Sequence, residues 1–174
     1  MKFPKSVEVA LNLPFLQVSG TWEPNDVERQ AAWELYVELI TRVAVVRLGP
    51  EEGLLEEALD SLYSLFSSTR DILRRHGPGV AEPKGSGQYN FGYLAVALLN
   101  AVLRPVLARW HPLLEEWELS RPSDRSRLEH ERSWPRAGEL REDLERTRVS
   151  LFEYASLLAS ACGVPDLSAA IPST

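Results

Sequence analysis

The sequence predicts an all-α fold: an antiparallel four-helix bundle preceded by a short β-strand or hairpin over residues about 5–22. Three observations carry this. Four stretches repeat apolar side chains every three or four residues, connectors of short to moderate length separate them, and Val7, Val9, Leu11 and Leu13 alternate with Glu8, Ala10 and Asn12. At 174 residues the chain fits one domain with a core of its own, comprising an extended arm (1–24), a helical body (25–162) and a tail (163–174).

Pro14 interrupts the alternation, and FLQVSGTW returns as a second short strand. One strand or hairpin is marginal alone in water, so it packs on the helices or pairs with a partner. The first helix, about 26–46, has Asn25 or Asp26 as its cap and sets Trp33, Val37, Ile40 and Ala44 on one face, with Leu35, Leu39, Val43 and Val46 widening the arc. The second, about 50–76, opens on Pro50, Glu51 and Glu52 and closes on Arg74 and Arg75, charges that suit the helix dipole. Leu54, Ala58, Leu62, Leu65, Thr69 and Ile72 form its inner face.

Residues 77–88, GPGVAEPKGSGQ, read as a flexible loop. The third helix, about 90–117, is the most apolar, with Leu99, Leu103, Val106, Trp110, Leu113 and Trp117 in a heptad-like seam. Residues 118–134 form a charged connector in which EHE (129–131) is expected to be solvated. The fourth helix, about 135–162, buries Leu140, Leu144, Thr147, Leu151, Tyr154, Leu158 and Ala161; Gly163-Val164-Pro165 ends it and leaves a loosely held tail. Trp33 and Trp110 read as core; Trp22, Trp117 and Trp134 lie near element ends, where they can cover the tips or anchor a partner, with core packing the better reading for each.

A net charge of −6 argues against broad nucleic-acid binding, which needs clustered positive charge. Cys162 is the only cysteine, so no intramolecular disulfide forms and a reducing compartment fits. The N-terminal stretch lacks a signal-peptide core and no stretch is expected to approach a membrane span, giving a cytoplasmic expectation. Arginine greatly exceeds lysine in an Ala/Leu-rich chain, a composition that suggests a GC-rich bacterial genome.

The leading site candidate is the row Asn100, Arg104 and His111, which falls within roughly 40° on a helical wheel, with Tyr93 and Glu115 nearby. Such a row can bind an anion or set a cationic donor beside an acid–base imidazole. It can equally satisfy the carbonyls of Ala101 and Ala108, which lose their donors to Pro105 and Pro112.

The second candidate is RDILRRHG, with Arg70, Asp71 and His76. Arginine, a polar residue and then histidine resembles the motif of the HEPN ribonucleases, all-α and often dimeric proteins that cleave RNA without metal. The resemblance implies that Arg70 stabilises phosphate charge while His76 helps activate a 2′-hydroxyl. On a straight helix these two stand roughly 120° apart. Arg104 and His111 also fit the loose spacing, with Pro105 where that family carries a polar residue.

No Glu precedes His76 or His111 by three residues, so bundle di-metal chemistry has no support, and no nucleotide or hydrolase signature occurs; no metal or cofactor is expected. The leading functional expectation is a non-enzymatic helical interaction module that self-associates, as a homodimer, or docks on a partner protein. The alternative is a metal-independent HEPN-like ribonuclease.

Overall fold

A computed structural model describes residues 3–49 and 51–171, with Val43 described through its backbone alone. The described chain is mostly helical, and a three-stranded sheet adds an α+β element to the expected all-α architecture. Strands β1 (Val7–Leu13) and β2 (Leu16–Trp22) pair antiparallel in unbroken register from Val7↔Trp22 to Leu13↔Leu16. The alternation is realised in full: Val7, Val9, Leu11 and Leu13 are buried while Glu8, Ala10 and Asn12 face solvent.

The turn between them is Pro14-Phe15. Phe15 is 90% exposed and sits at φ 65°, a left-handed conformation that crowds a side chain bearing a Cβ. Phe15→Gly should therefore raise stability by up to about 1 kcal/mol: relief of about 1–2 kcal/mol of strain exceeds about 0.4–1 kcal/mol of added unfolded-state freedom. A higher urea midpoint checks it.

Residues 77–88 form the expected loop only over 82–87. Gly77–Ala81 winds into a tight 3-10 turn, and Gln88 begins strand β3 (Gln88–Tyr89), parallel to β2 through Thr21↔Gln88 and Trp22↔Tyr89. The Thr21 N–H donates to Gly87 O at 3.0 Å. Gly20 permits this approach, since a Cβ there would lie 2.3 Å from the same carbonyl.

Helix α1 (Asp26–Ile40) opens on a capping box between Asn25 and Glu28. Its core stripe is Ala31, Ala32, Leu35, Tyr36 and Leu39, which places Trp33 outside at 42% exposure and corrects its assignment to the core. Burial here follows the angular position between α2 and α6, not side-chain size. The helix stops at Thr41, short of the expected 46, where the β-branched residues Thr41, Val45 and Val46 follow one another closely.

Helix α2 (Leu55–His76) starts later than expected, after Gly53 at φ 66°; Glu51 and Glu52 precede it, and Pro50 lies outside the described residues. Its inner face is the expected one, with Leu55 and Leu59 added and Leu54 half-buried.

Helices α3 (Phe91–Ala97) and α4 (Arg104–Leu119) are one rod joined by a π-wound stretch, Leu98–Leu103. Pro105 has no N–H and its ring would strike the Ala101 carbonyl in a regular helix. The wider turn, in which Arg104 N–H bonds Leu99 O five residues back, carries the chain past that collision. The extra width also rotates the buried stripe, so that Leu107, Trp110 and Leu114 fill the core while Val106, Leu113 and Trp117 are half-buried.

The rod is long and apolar enough to cross a membrane, with mean hydropathy 1.7 over its best window, which corrects the expectation that no stretch approaches a span. Within the fold 61% of that window is buried, and core packing accounts for its apolarity.

Helix α5 (Arg127–Arg132) orders the charged connector through a Ser126–Glu129 capping box. Helix α6 (Ala137–Cys162) buries every residue expected of it, lies against α1, α2 and α4, and supports β1 from below. The tail through Ile171 is tied down: the Tyr36 hydroxyl accepts from Leu167 N–H at 2.6 Å, and Ser156 Oγ donates to Asp166 at 2.9 Å.

Candidate functional site

The row of sequence candidates lies along the seam between α2 and α4. The Arg104 guanidinium stands 5.4 Å above the Phe66 ring and the His111 ring 5.8 Å from Tyr63, so the two helices run antiparallel. Arg70 is exposed on α2, one turn beyond Phe66.

Asn100 sits in the π-wound stretch and is exposed. Its Nδ2 donates to Val96 O at 3.1 Å, and its Oδ1 accepts from Arg104 Nε at 2.9 Å. The side chain thus repairs a carbonyl one turn earlier than the one Pro105 frees. Tyr93, 47% exposed, packs its ring 5.2 Å from Tyr89. Asn100 and Arg104 form a connected surface pair, an arrangement that can present two donors to an incoming acceptor.

His111 belongs to a different neighbourhood. Its Nε2 is 3.9 Å from Asp60 Oδ1, and it lines a cavity of about 390 Å³ with Glu56, Glu115, Glu118, Arg121 and Arg127. Charges in that cavity are largely spent on one another, since Arg127 pairs with Glu56 and Arg121 lies 3.8 Å from Glu118.

The ribonuclease-like pair is not assembled. His76 Nε2 lies 3.0 Å from Glu34 Oε1 on the side facing α1, and Arg75 reaches the same carboxylate at 3.3 Å, while Arg70 is solvent-exposed. Arg104 and His111 likewise engage separate α2 residues. Among the described residues no cluster of His, Cys, Asp and Glu has metal-binding geometry. Cys162 is buried, its thiol pushed up to about 11 by that burial.

Sequence reasoning passed over two buried carboxylates. Glu28 is fully buried and accepts from Trp22 Nε1 at 3.1 Å, Phe91 N at 2.9 Å, Asn25 N at 2.8 Å and Lys84 Nζ at 2.8 Å. It joins β2, α1, α3 and the loop before β3 in one polar knot. The Asn25-x-x-Glu28 box was its visible signal.

Glu131 comes from the connector expected to be solvated, yet it is 2% exposed and caps α2 from outside, accepting from Leu55 N at 2.6 Å and Glu56 N at 3.2 Å. Beside it His130 stacks on Trp117 at 4.6 Å and donates from Nε2 to Trp117 O at 2.8 Å. Both acids are occupied in holding elements together.

A further open feature is the outer edge of β1. Among the described residues no group bonds the backbone of Val7–Leu13 from the side away from β2. No family model, curated protein or solved structure matches this chain.

Proposed function

We propose that the chain is a non-enzymatic interaction module of the bacterial cytosol that self-associates or docks on a partner protein. The observation that carries this reading is the unpaired edge of β1, a row of backbone donors and acceptors of the kind that recruits another strand. In this reading α1, α2, the α3–α4 rod and α6 act as a four-helix bundle that holds the sheet rigid, so the edge is presented in a fixed geometry. Exposed Phe15, at the turn that ends β1, supplies an aromatic anchor beside it.

Size-exclusion chromatography with light scattering, joined to a pull-down with the full chain, tests the reading. An oligomer or a stoichiometric protein partner is expected; a strict monomer that captures nothing would sink it.

A further inference from the structure

The hairpin geometry identifies which backbone groups of β1 point outward. Thr21, the partner of Glu8, sends its N–H away from β1 to Gly87 O at 3.0 Å, so Glu8 and Thr21 do not exchange hydrogen bonds. Bonded and non-bonded pairs alternate along an antiparallel ladder. The N–H and C=O groups of Glu8, Ala10 and Asn12 therefore face the open edge. Natural edges are usually blunted by charged side chains, above all lysine, by proline or by a bulge; Val7–Leu13 has no lysine or proline, its one charge is Glu8, and the register with β2 is unbroken.

We infer that this edge receives β1 of a second copy of the chain, antiparallel and centred on Ala10, so that the two sheets become one. The inference rests on the interaction-module reading and names its partner. VEVALNL is close to a palindrome in character about Ala10. Pairing through that centre sets Ala10 against Ala10, Glu8 against Asn12, Val9 against Leu11 and Val7 against Leu13. Every outward N–H and C=O finds a partner, and every buried side chain stays on the core side, because a two-fold axis normal to the sheet preserves its faces.

Charge favours the same register. Asn12 Oδ1 already accepts from Gln17 Nε2 at 3.0 Å, which turns the Asn12 amide donors toward new acceptors, and Glu8 of the second copy supplies a carboxylate opposite. Centring on Glu8 would set two carboxylates face to face. Centring on Leu11 would oppose Glu8 to Pro14, which has no N–H to give. Ala10 at the axis keeps the exposed face open for close approach.

The test uses the full chain. Light scattering of the wild type at rising concentration should reach twice 19.6 kDa, and Ala10→Pro should return it to the monomer mass. The Ala10 N–H serves only the intermolecular ladder, and proline is tolerated on an edge with that orientation, so the variant should stay folded and melt as the wild type does at concentrations where it is monomeric.

Ala10→Cys provides a second arm that does not depend on the proline variant folding. Residues paired across the axis sit about 5.5 Å apart at Cα, within disulfide reach. Mild oxidation should give a covalent dimer, whereas Glu8→Cys, roughly 14 Å from its own symmetry mate, should not. Cys162 is buried, and the wild type gives the background.

A wild-type monomer at all concentrations would overturn the inference, as would a dimer that Ala10→Pro leaves intact or crosslinking at Glu8→Cys in place of Ala10→Cys. A monomer that still holds a stoichiometric partner overturns the inference alone; one that holds none overturns the functional reading as well.

Discussion

Glu28→Ala is expected to destabilise the fold by about 3–5 kcal/mol, the range for removing one partner of a buried, hydrogen-bonded ion pair. Four donors lose their acceptor at once: the Trp22 indole, the backbone N–H groups of Asn25 and Phe91, and the Lys84 ammonium, itself only 14% exposed. The first helical N–H of α3 has no other acceptor within reach of its own turn, so the start of the central rod loosens together with β2. Urea unfolding followed by tryptophan fluorescence reads the loss directly. A change under about 1 kcal/mol, the level of an exposed ion pair, would show that Glu28 is not the knot its geometry describes.

Glu131→Ala is expected to cost about 2–3 kcal/mol, because a buried N–H (Leu55) and a half-buried one (Glu56) at the start of α2 are left without acceptors. The effect carries a pH signature. Burial holds the Glu131 carboxyl above its ordinary 4.5, outweighing the lowering pull of the Leu55 N–H. As pH rises from 4.5 toward the folded-state value, the unfolded chain releases this proton first, so the folded state binds more protons and stability falls. The gap between wild type and Glu131→Ala should be widest on the acid side and narrow through that window. Urea midpoints measured from pH 4 to pH 7 (roughly the span the linkage covers) check it; a gap that widens with pH would contradict the burial argument.

Legibility in the sequence followed how local each cause was. β1 was fully readable because it meets the core on one face, and the expected stripe of α6 is buried throughout, while its several neighbours widen the buried arc to Ser150, Ala155, Leu157 and Ala159. α1 lies between two neighbours, so its stripe turned away from Trp33, the largest side chain and the natural anchor for a sequence reading. The π-wound stretch shifted the phase of the third helix halfway along; Pro105 announced a disturbance there but not its sense. β3 is two residues long and exists through pairing with Thr21 and Trp22, more than sixty positions earlier in the chain, so nothing nearby encodes it.

The candidate row divided in the same manner. Asn100 and Arg104 stand four apart on one helix and meet, as local geometry requires. His111 was drawn instead to Asp60 and Tyr63 of another helix. For Glu131, acceptors and donors come together across 76 residues, and local composition pointed to water.

The support of β1 by α6 also shapes how this protein is made. Arg29 stitches the two ends of the fold together, donating to Ala161 O at 2.6 Å across 132 residues of chain. A ribosome adding about 5–20 residues per second needs roughly 7–26 s to cover that distance. During the interval the hairpin has emerged but the helix that covers Val7, Val9, Leu11 and Leu13 has not. The nascent chain therefore carries a bare apolar face and an open strand edge together until α6 is made.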